Sequence, residues 1–311
     1  MTLTELRYVV AVAEERHFGH AAESCHVSQP TLSLGVKKFE DELGVVLFER
    51  GRHEVLVTPA GRRIVEQARR VLAEARVLKR LASEGTDPLR GTLRLGAIYT
   101  IGPYLLPGLL PVMKERAPHL TLIVEENLTA VLTERLKSGA LDVAVLSLPY
   151  DEPGIRTEPL YDEPFVVLMP ASHPLASQES ISIRQLEHET VLLLGKGHCF
   201  RDQILDFCPP CGKPADDDDL QHALAGGSLE TIRYMVASGA GVTILPGTAA
   251  CADRFPQRLL VIRRFAGEPP SRRVALAWRG GFTRAAAVTV LREAILASGL
   301  TGVRRLASSA D

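Results

Sequence analysis

Three of the five cysteines in this 311-residue chain stand between positions 199 and 211, in the string GKGHCFRDQILDFCPPC. Cys199 follows Lys196 and His198, precedes Arg201, and opens an amphipathic stretch marked by Phe200, Ile204, Leu205 and Cys208. Cations and a helix N-terminus both favour the thiolate, the form of cysteine that reacts. The same neighbourhood is compatible with an inert buried thiol, because free cysteine packs as a small hydrophobe. Cys208 and Cys211 form a C-x-x-C, a spacing used both by redox pairs and by half of a zinc site. It has no companion C-x-x-C, and His198 and His222 fit zinc spacings poorly, so neither metal nor cofactor is expected. Cys25 and Cys251 lie among apolar neighbours and read as core thiols.

A second chemistry is written near the N-terminus. Ser28 is a good N-cap, Pro30 is tolerated in a first helical turn, and Val27 with Leu32 has the spacing of a hydrophobic staple. From there Leu32, Val36, Phe39 and Leu43 recur at helical spacing, which turns Gln29, Ser33 and Lys37 onto another face. Gln can pair bidentately with adenine, Ser with several base edges, and Lys with guanine or phosphate, so the stripe suits a major-groove helix. An ordinary amphipathic helix with a solvated face would show the same stripe. The adjoining residues favour DNA: the segment 48–57 reads as a hairpin wing with Arg50 and Arg52 beside its turn, placed to meet phosphate. Residues 50–80 carry nine Lys or Arg against three Glu, so this flank is basic although the whole chain, at net charge −1, is not.

The elements that must position these groups can be read from periodicity. Thr2 and Glu5 form a capping box ahead of a first helix, and a short second helix carries Phe18, Ala21, Ala22 and Cys25. Thr58-Pro59 opens a long helix in which Ile64, Ala68, Val71, Ala75, Leu78 and Ala82 alternate spacings of four and three, the seam of a helix that pairs with a partner. A linker is expected over 83–91. Strands are expected at 92–98, 120–126, 141–148, 165–169, 191–194, 242–245, 259–262 and 273–277, alternating with helices as in a mostly parallel α/β sheet. With 46% apolar residues the chain can bury a sizeable core. No window is apolar enough to span a membrane and no signal peptide is evident, so a cytoplasmic location is expected. The run Asp216–Asp219 reads as a solvated loop.

The string AAESCHVSQPTLSLGVKKFEDELGVVLFER, with VTPAG after it, resembles the winged helix-turn-helix of LysR-type transcriptional regulators. The resemblance implies an α/β multidomain chain: a winged helix-turn-helix over 1–58, a dimerising linker helix and hinge over 59–90, and an effector domain over 91–311. That domain would have two subdomains, about 91–161 with 267–300 and about 162–266, similar to type 2 periplasmic binding proteins. Ser28, Gln29, Pro30, Thr31, Ser33, Lys37, Arg50 and Arg52 would face operator DNA. The cysteine string is similar to the redox segment of the family's hydrogen peroxide sensors. By that resemblance Cys199 is the thiol that peroxide oxidises and Cys208 its disulfide partner. Thr100, Thr129, His198 and Arg201 would line the peroxide pocket, with Asp202 holding Arg201. The implied protein is a regulator and not an enzyme, with a homodimer pairing to a homotetramer and RNA polymerase as a partner.

Cys211 departs from that pattern and competes with Cys208 as the partner of Cys199. Two other functions fit parts of the sequence: a LysR-type regulator answering to a metabolite held between the lobes, and a thiol oxidoreductase, for which the DNA-reading segment has no use. Replacing Gln29 by Ala should relax preference at one base position by roughly 1–3 kcal/mol, whereas replacing Arg50 should weaken all sequences alike. Binding titrations on operator and random duplexes check this; equal losses on both for Gln29→Ala would remove that helix from the groove.

Overall fold

The structure, a computed structural model, describes residues 1–50, 55–84, 87–212, 227–251 and 259–306. Arg52, the Asp216–Asp219 run and His222 lie outside these residues, as does the side chain of Arg50. The chain falls into two units, Met1–Gly85 with Lys137–Ala140, and Thr86–Leu136 with Leu141–Asp311.

In the N-terminal unit the capping box forms as its spacing requires: the Thr2 hydroxyl accepts from Glu5 N at 3.2 Å, and the Glu5 carboxylate accepts from Thr2 N at 2.7 Å. Helices α1 (Leu3–Glu15), α2 (Phe18–Ser24) and α3 (Gln29–Leu43) bury Leu6, Val9, Phe18, Leu32, Val36 and Phe39 in one core. Where α3 meets α1, a Cβ on Gly35 would lie 2.7 Å from the Tyr8 ring, so glycine is what allows the close approach. Strands β1 (Phe48–Arg50) and β2 (Val55–Val57) pair antiparallel as the expected wing. Helix α4 (Pro59–Glu84) starts behind Thr58, whose hydroxyl accepts from Gly61 N at 2.9 Å.

The second unit runs β3 (Gly91–Ile98), α5 (Gly102–Arg116), β4 (Leu120–Asn127), α6 (Thr129–Lys137), β5 (Val143–Leu148) and β6 (Ile155–Pro170). Next come β7 (Ser180–Ile181), α7 (Ile183–Leu186), β8 (Val191–Leu192), α8 (Cys199–Phe207) and a 3-10 turn at Pro209–Gly212. The chain ends with α9 (Leu229–Ala237), β9 (Val242–Pro246), α10 (Gly247–Cys251), β10 (Leu260–Phe265), β11 (Ser271–Arg279), α11 (Ala285–Ala297) and β12 (Arg304–Arg305). Every expected strand overlaps an observed one. The sheet is nonetheless mixed rather than mostly parallel: β3 pairs parallel with β4 and β5, but β11 runs antiparallel to β5 and β6, and β6 antiparallel to β9 and β10. The sequence hid this because the first ten residues of β6 include Glu158, Pro159, Asp162, Glu163 and Pro164, which break the apolar pattern of a strand.

That long strand serves two cores. Leu160 and Tyr161 belong to the core built on β3, β5, α5 and α11, whereas Phe165, Val167 and Met169 belong to the core containing β9, α9 and part of α8. Between them stands Glu163, wholly buried, opposite Arg272 of β11 in the strand register and bonded to it at 2.7 Å. Arg272 is also wholly buried. Its remaining donors go to Thr100, Nη1 to the hydroxyl at 2.7 Å and Nη2 to the carbonyl at 2.9 Å. The other Glu163 oxygen accepts from the backbone N–H of Thr248 at 2.9 Å and from its hydroxyl. Removing one partner of such a pair strands a charge in the core. Glu163→Ala should therefore destabilise the protein by about 3–5 kcal/mol in urea unfolding, and a loss below about 1 kcal/mol would mean that the pair behaves like a surface one.

Candidate functional site

Cys199 is placed by the turn before it. The backbone passes through Gly197 at φ +93°, a conformation that L side chains resist, and His198 then supplies the extended N-cap residue of α8. Cys199 is the first helical residue, where the free N–H groups of the opening turn favour negative charge. It is half-buried, and it packs on the core that contains β3, while the next residue, Phe200, is buried in the other core.

A small pocket meets Cys199. Ile98, Tyr99 and Thr100 enter it from the end of β3, Asn127, Leu128 and Thr129 from the junction of β4 and α6, and His198 and Phe200 from either side of the thiol. About 10 Å³ is open to the centre of a water-sized molecule, room for one such molecule. Metabolite sites are commonly of about 300–1,000 Å³. The pocket thus suits a very small polar species.

The polar groups around it have distinct states. Thr100 accepts from Arg272, so its own hydroxyl proton remains free to donate. The Thr129 hydroxyl oxygen is buried with no hydrogen-bond partner among the protein groups, so it does not cap α6. Burial pushes the His198 pKa below its ordinary 6.5, so the imidazole is neutral at pH 7, which corrects its reading as a cation beside the thiol. Its ring lies against Tyr99 with centroids 5.7 Å apart. Arg201 donates to the Leu194 carbonyl at 3.0 Å and not to Asp202, which lies exposed in the first turn of α8. The expected Arg201–Asp202 hold is thus replaced by a backbone partner, because the carbonyl of the preceding loop lies within reach of the guanidinium.

Helix α8 is tied to both cores. Phe200 packs edge-on against Phe165 at 5.1 Å and lies 5.4 Å beneath the Arg272 guanidinium. Gln203 donates to the Ser147 hydroxyl at 2.8 Å, at the end of β5. At its C-terminus Cys208 is bonded not to Cys199 but to Cys211, with Cα atoms 5.4 Å apart, and both are buried. The physical reason is separation: the intact helix holds Cys199 and Cys208 about 13 Å apart, whereas the turn at Pro209–Gly212 folds Cys211 back onto Cys208. Arg272, Glu163, Gln203 and Asn127 were not foreseen. Arg272 and Glu163 carry no local signal, being 109 positions apart.

On the N-terminal unit, Gln29, Pro30, Thr31 and Lys37 are exposed on α3 and Ser33 is half-buried. Ser28 and Thr31 share the cap, Thr31 N donating to the Ser28 hydroxyl. Leu34, also on α3, is 69% exposed and was missed because an apolar residue is ordinarily assigned to the core. An apolar side chain there can meet a thymine methyl. Along α4, Ala68 is buried while Val71 and Leu78 are exposed, Leu78 by 71%, leaving an apolar edge without cover in the single chain.

Comparison with known proteins agrees with this geometry. Residues 3–62 match the bacterial regulatory helix-turn-helix protein, lysR family, and residues 86–299 match the LysR substrate binding domain. The chain is 43% identical over 281 residues to a hydrogen peroxide-inducible genes activator of Dickeya chrysanthemi, covering 90% of both chains. Among solved structures it resembles full-length OxyR C199D from Pseudomonas aeruginosa, with a TM-score of 0.71 and 49% identity over 95% of this chain and 98% of that one. A hydrogen peroxide-bound mutant of Corynebacterium glutamicum OxyR gives a TM-score of 0.62 and 34% identity, over 96% and 92% of the two chains. Since the Thr129 hydroxyl has no partner within the protein, Thr129→Val should leave stability within about 1 kcal/mol. The same change should slow oxidation of Cys199 by roughly tenfold or more; an unchanged rate in quenched alkylation would exclude that hydroxyl from the reaction.

Proposed function

Because the chain belongs to the LysR family of bacterial regulatory helix-turn-helix proteins, we propose that it is a DNA-binding transcriptional regulator that senses hydrogen peroxide through Cys199. The observation that carries this reading is the pocket beside the thiol, far smaller than a metabolite site and lined by Thr100, His198 and Thr129, whose buried hydroxyl has no hydrogen-bond partner. It disfavours the metabolite-responsive reading for this site. Thr100 and Thr129 would orient the peroxide, and neutral His198 would take the Cys199 thiol proton and return it to the departing oxygen. The Cys199 sulfur then attacks one oxygen, becoming sulfenic acid as water leaves. Arg201, fixed on the Leu194 carbonyl, would steady the loop rather than touch the guest, and Asp202 would be solvated.

Disulfide formation with Cys208 is the step that would convert oxidation into a change of shape. A disulfide tolerates Cα separations up to about 7 Å, against about 13 Å along the helix, so α8 must unwind. Unwinding takes Phe200 and Ile204 out of their core, at about 1.5–3 kcal/mol each. It also releases the Gln203 tie to Ser147. At the DNA end, the exposed face of α3 would enter the major groove with Ser28, Gln29, Pro30, Thr31, Ser33 and Lys37, and the Arg50 and Arg52 wing would hold phosphate. The uncovered edge at Val71 and Leu78 would be buried by a second copy. The boundaries at 58 and 90, a dimer of dimers, RNA polymerase as partner and a cytoplasmic location complete the reading; no described helix is long and apolar enough to cross a membrane. Cys199→Ser should abolish the peroxide response of a reporter while leaving operator binding by the reduced protein intact. A response that survives in Cys199→Ser would return the metabolite reading to first place.

A further inference from the structure

The sulfur chemistry of this chain does not end at Cys208, because the structure places the disulfide one step further on, at Cys208–Cys211, with Cys199 free. Both bonded cysteines are buried in the second core, and α8 is intact beside them. Cys211 N donates to the Cys208 carbonyl at 3.0 Å, so the turn that joins the two sulfurs is a hydrogen-bonded part of the fold. A Cβ on Gly212 would lie 2.6 Å from the Leu205 side chain, so this turn is packed closely onto α8. The two disulfides open to Cys208 therefore differ in what they demand. A bond to Cys199 requires the helix to unwind; a bond to Cys211 coexists with the helix.

From that difference we infer that Cys211 is a second resolving thiol, which takes the disulfide over from Cys199 and lets the switch reset itself. The inference rests on the reading of Cys199 as the peroxide-oxidised thiol. In the first step Cys199 thiolate attacks hydrogen peroxide, and with one proton gives Cys199 sulfenic acid and water. Next the Cys208 thiol attacks the sulfenic sulfur, forming Cys199–Cys208 and releasing the second water. Cys211, deprotonated to solvent, then attacks the Cys208 sulfur, forming Cys208–Cys211 and expelling Cys199 as thiolate. One peroxide has been reduced to two waters, and two thiols oxidised to one disulfide. The exchange adds no oxidant.

The direction of the last step is set by packing. Only two residues separate Cys208 from Cys211, so the attacking thiol is held at an effective concentration in the millimolar range or above. Once Cys199 is released, α8 can rewind and rebury Phe200 and Ile204, each fully buried in the structure. The product is a helical form whose Cys208 is occupied. A further peroxide could oxidise Cys199, but no disulfide with Cys208 could form after it. Rearming requires a dithiol reductant to open Cys208–Cys211, so the pair sets both the duration of the response and a refractory period after it.

The test is a time course on the full-length protein. Fully reduced protein, freed of reductant, receives one equivalent of hydrogen peroxide, is quenched by acid and alkylation at intervals, and is mapped by peptide mass spectrometry. The Cys199–Cys208 peptide should rise and then fall by about tenfold or more as Cys208–Cys211 replaces it and Cys199 becomes alkylatable again. In Cys211→Ser and Cys211→Ala the Cys199–Cys208 bond should persist. If it persists equally in the unsubstituted protein, the transfer does not occur, although peroxide sensing by Cys199 stands. If Cys208–Cys211 forms at the same rate in Cys199→Ser, the pair is oxidised directly and the relay is wrong. If Cys199 never yields a sulfenic adduct or a disulfide, it is the peroxide reading itself that fails.

Discussion

The buried pair of Glu163 and Arg272 is the constraint on which the effector unit depends. Taking both charges out of water costs several kcal/mol per ion, and their attraction offsets this only when every remaining donor and acceptor is satisfied. Here the satisfying groups are Thr100 at the end of β3 and Thr248 at the start of α10. Those elements belong to different cores, so the ion pair fixes one core relative to the other at the place where β6 passes between them. The same guanidinium lies over Phe200, one residue beyond Cys199. The pocket inherits its shape from this pair. Thr100 keeps its hydroxyl proton free because it accepts from Arg272, and Phe200, the second residue of α8, lies beneath the same guanidinium.

Helix α8 then has two addresses at once. Cys199 packs on the core of β3, Phe200 and Ile204 fill the other, and Gln203 reaches back to Ser147. An oxidation at its first residue cannot be relieved by a small shift, because packed cores repack in discrete steps rather than stretching. On the proposed reading the helix is either wound, with Cys199 and Cys208 apart, or unwound, with them joined. Chemistry at one sulfur would thereby become a two-state change in how the cores are connected, and the proposed transfer to Cys211 would set how long the second state lasts.

Much of this was legible in the residues. The capping box at Thr2 and Glu5, the start of α3 at Ser28 and Pro30, and the positions of the strands all obey local rules, and local rules are what a sequence displays. The thiol cluster was equally plain. Hidden were the features that depend on distant partners. Glu163 looks like a strand breaker until Arg272 stands opposite it, and nothing in the sequence shows that the Thr129 hydroxyl is left unpaired. His198 reads as a cation from its neighbours, but burial keeps it neutral. The partner of Cys208 was set by the turn geometry after Pro209, which spacing alone left open between two cysteines.

The most direct measurement is amide hydrogen exchange across α8 in the full-length protein, pulsed at short times after one equivalent of hydrogen peroxide. The amides of residues 203–208 should lose their protection while Cys199–Cys208 is present, and those of β3, β5 and β11 should keep theirs. Protection of α8 that stays unchanged while mass spectrometry shows Cys199 joined to Cys208 would contradict the two-state helix on which signalling is built.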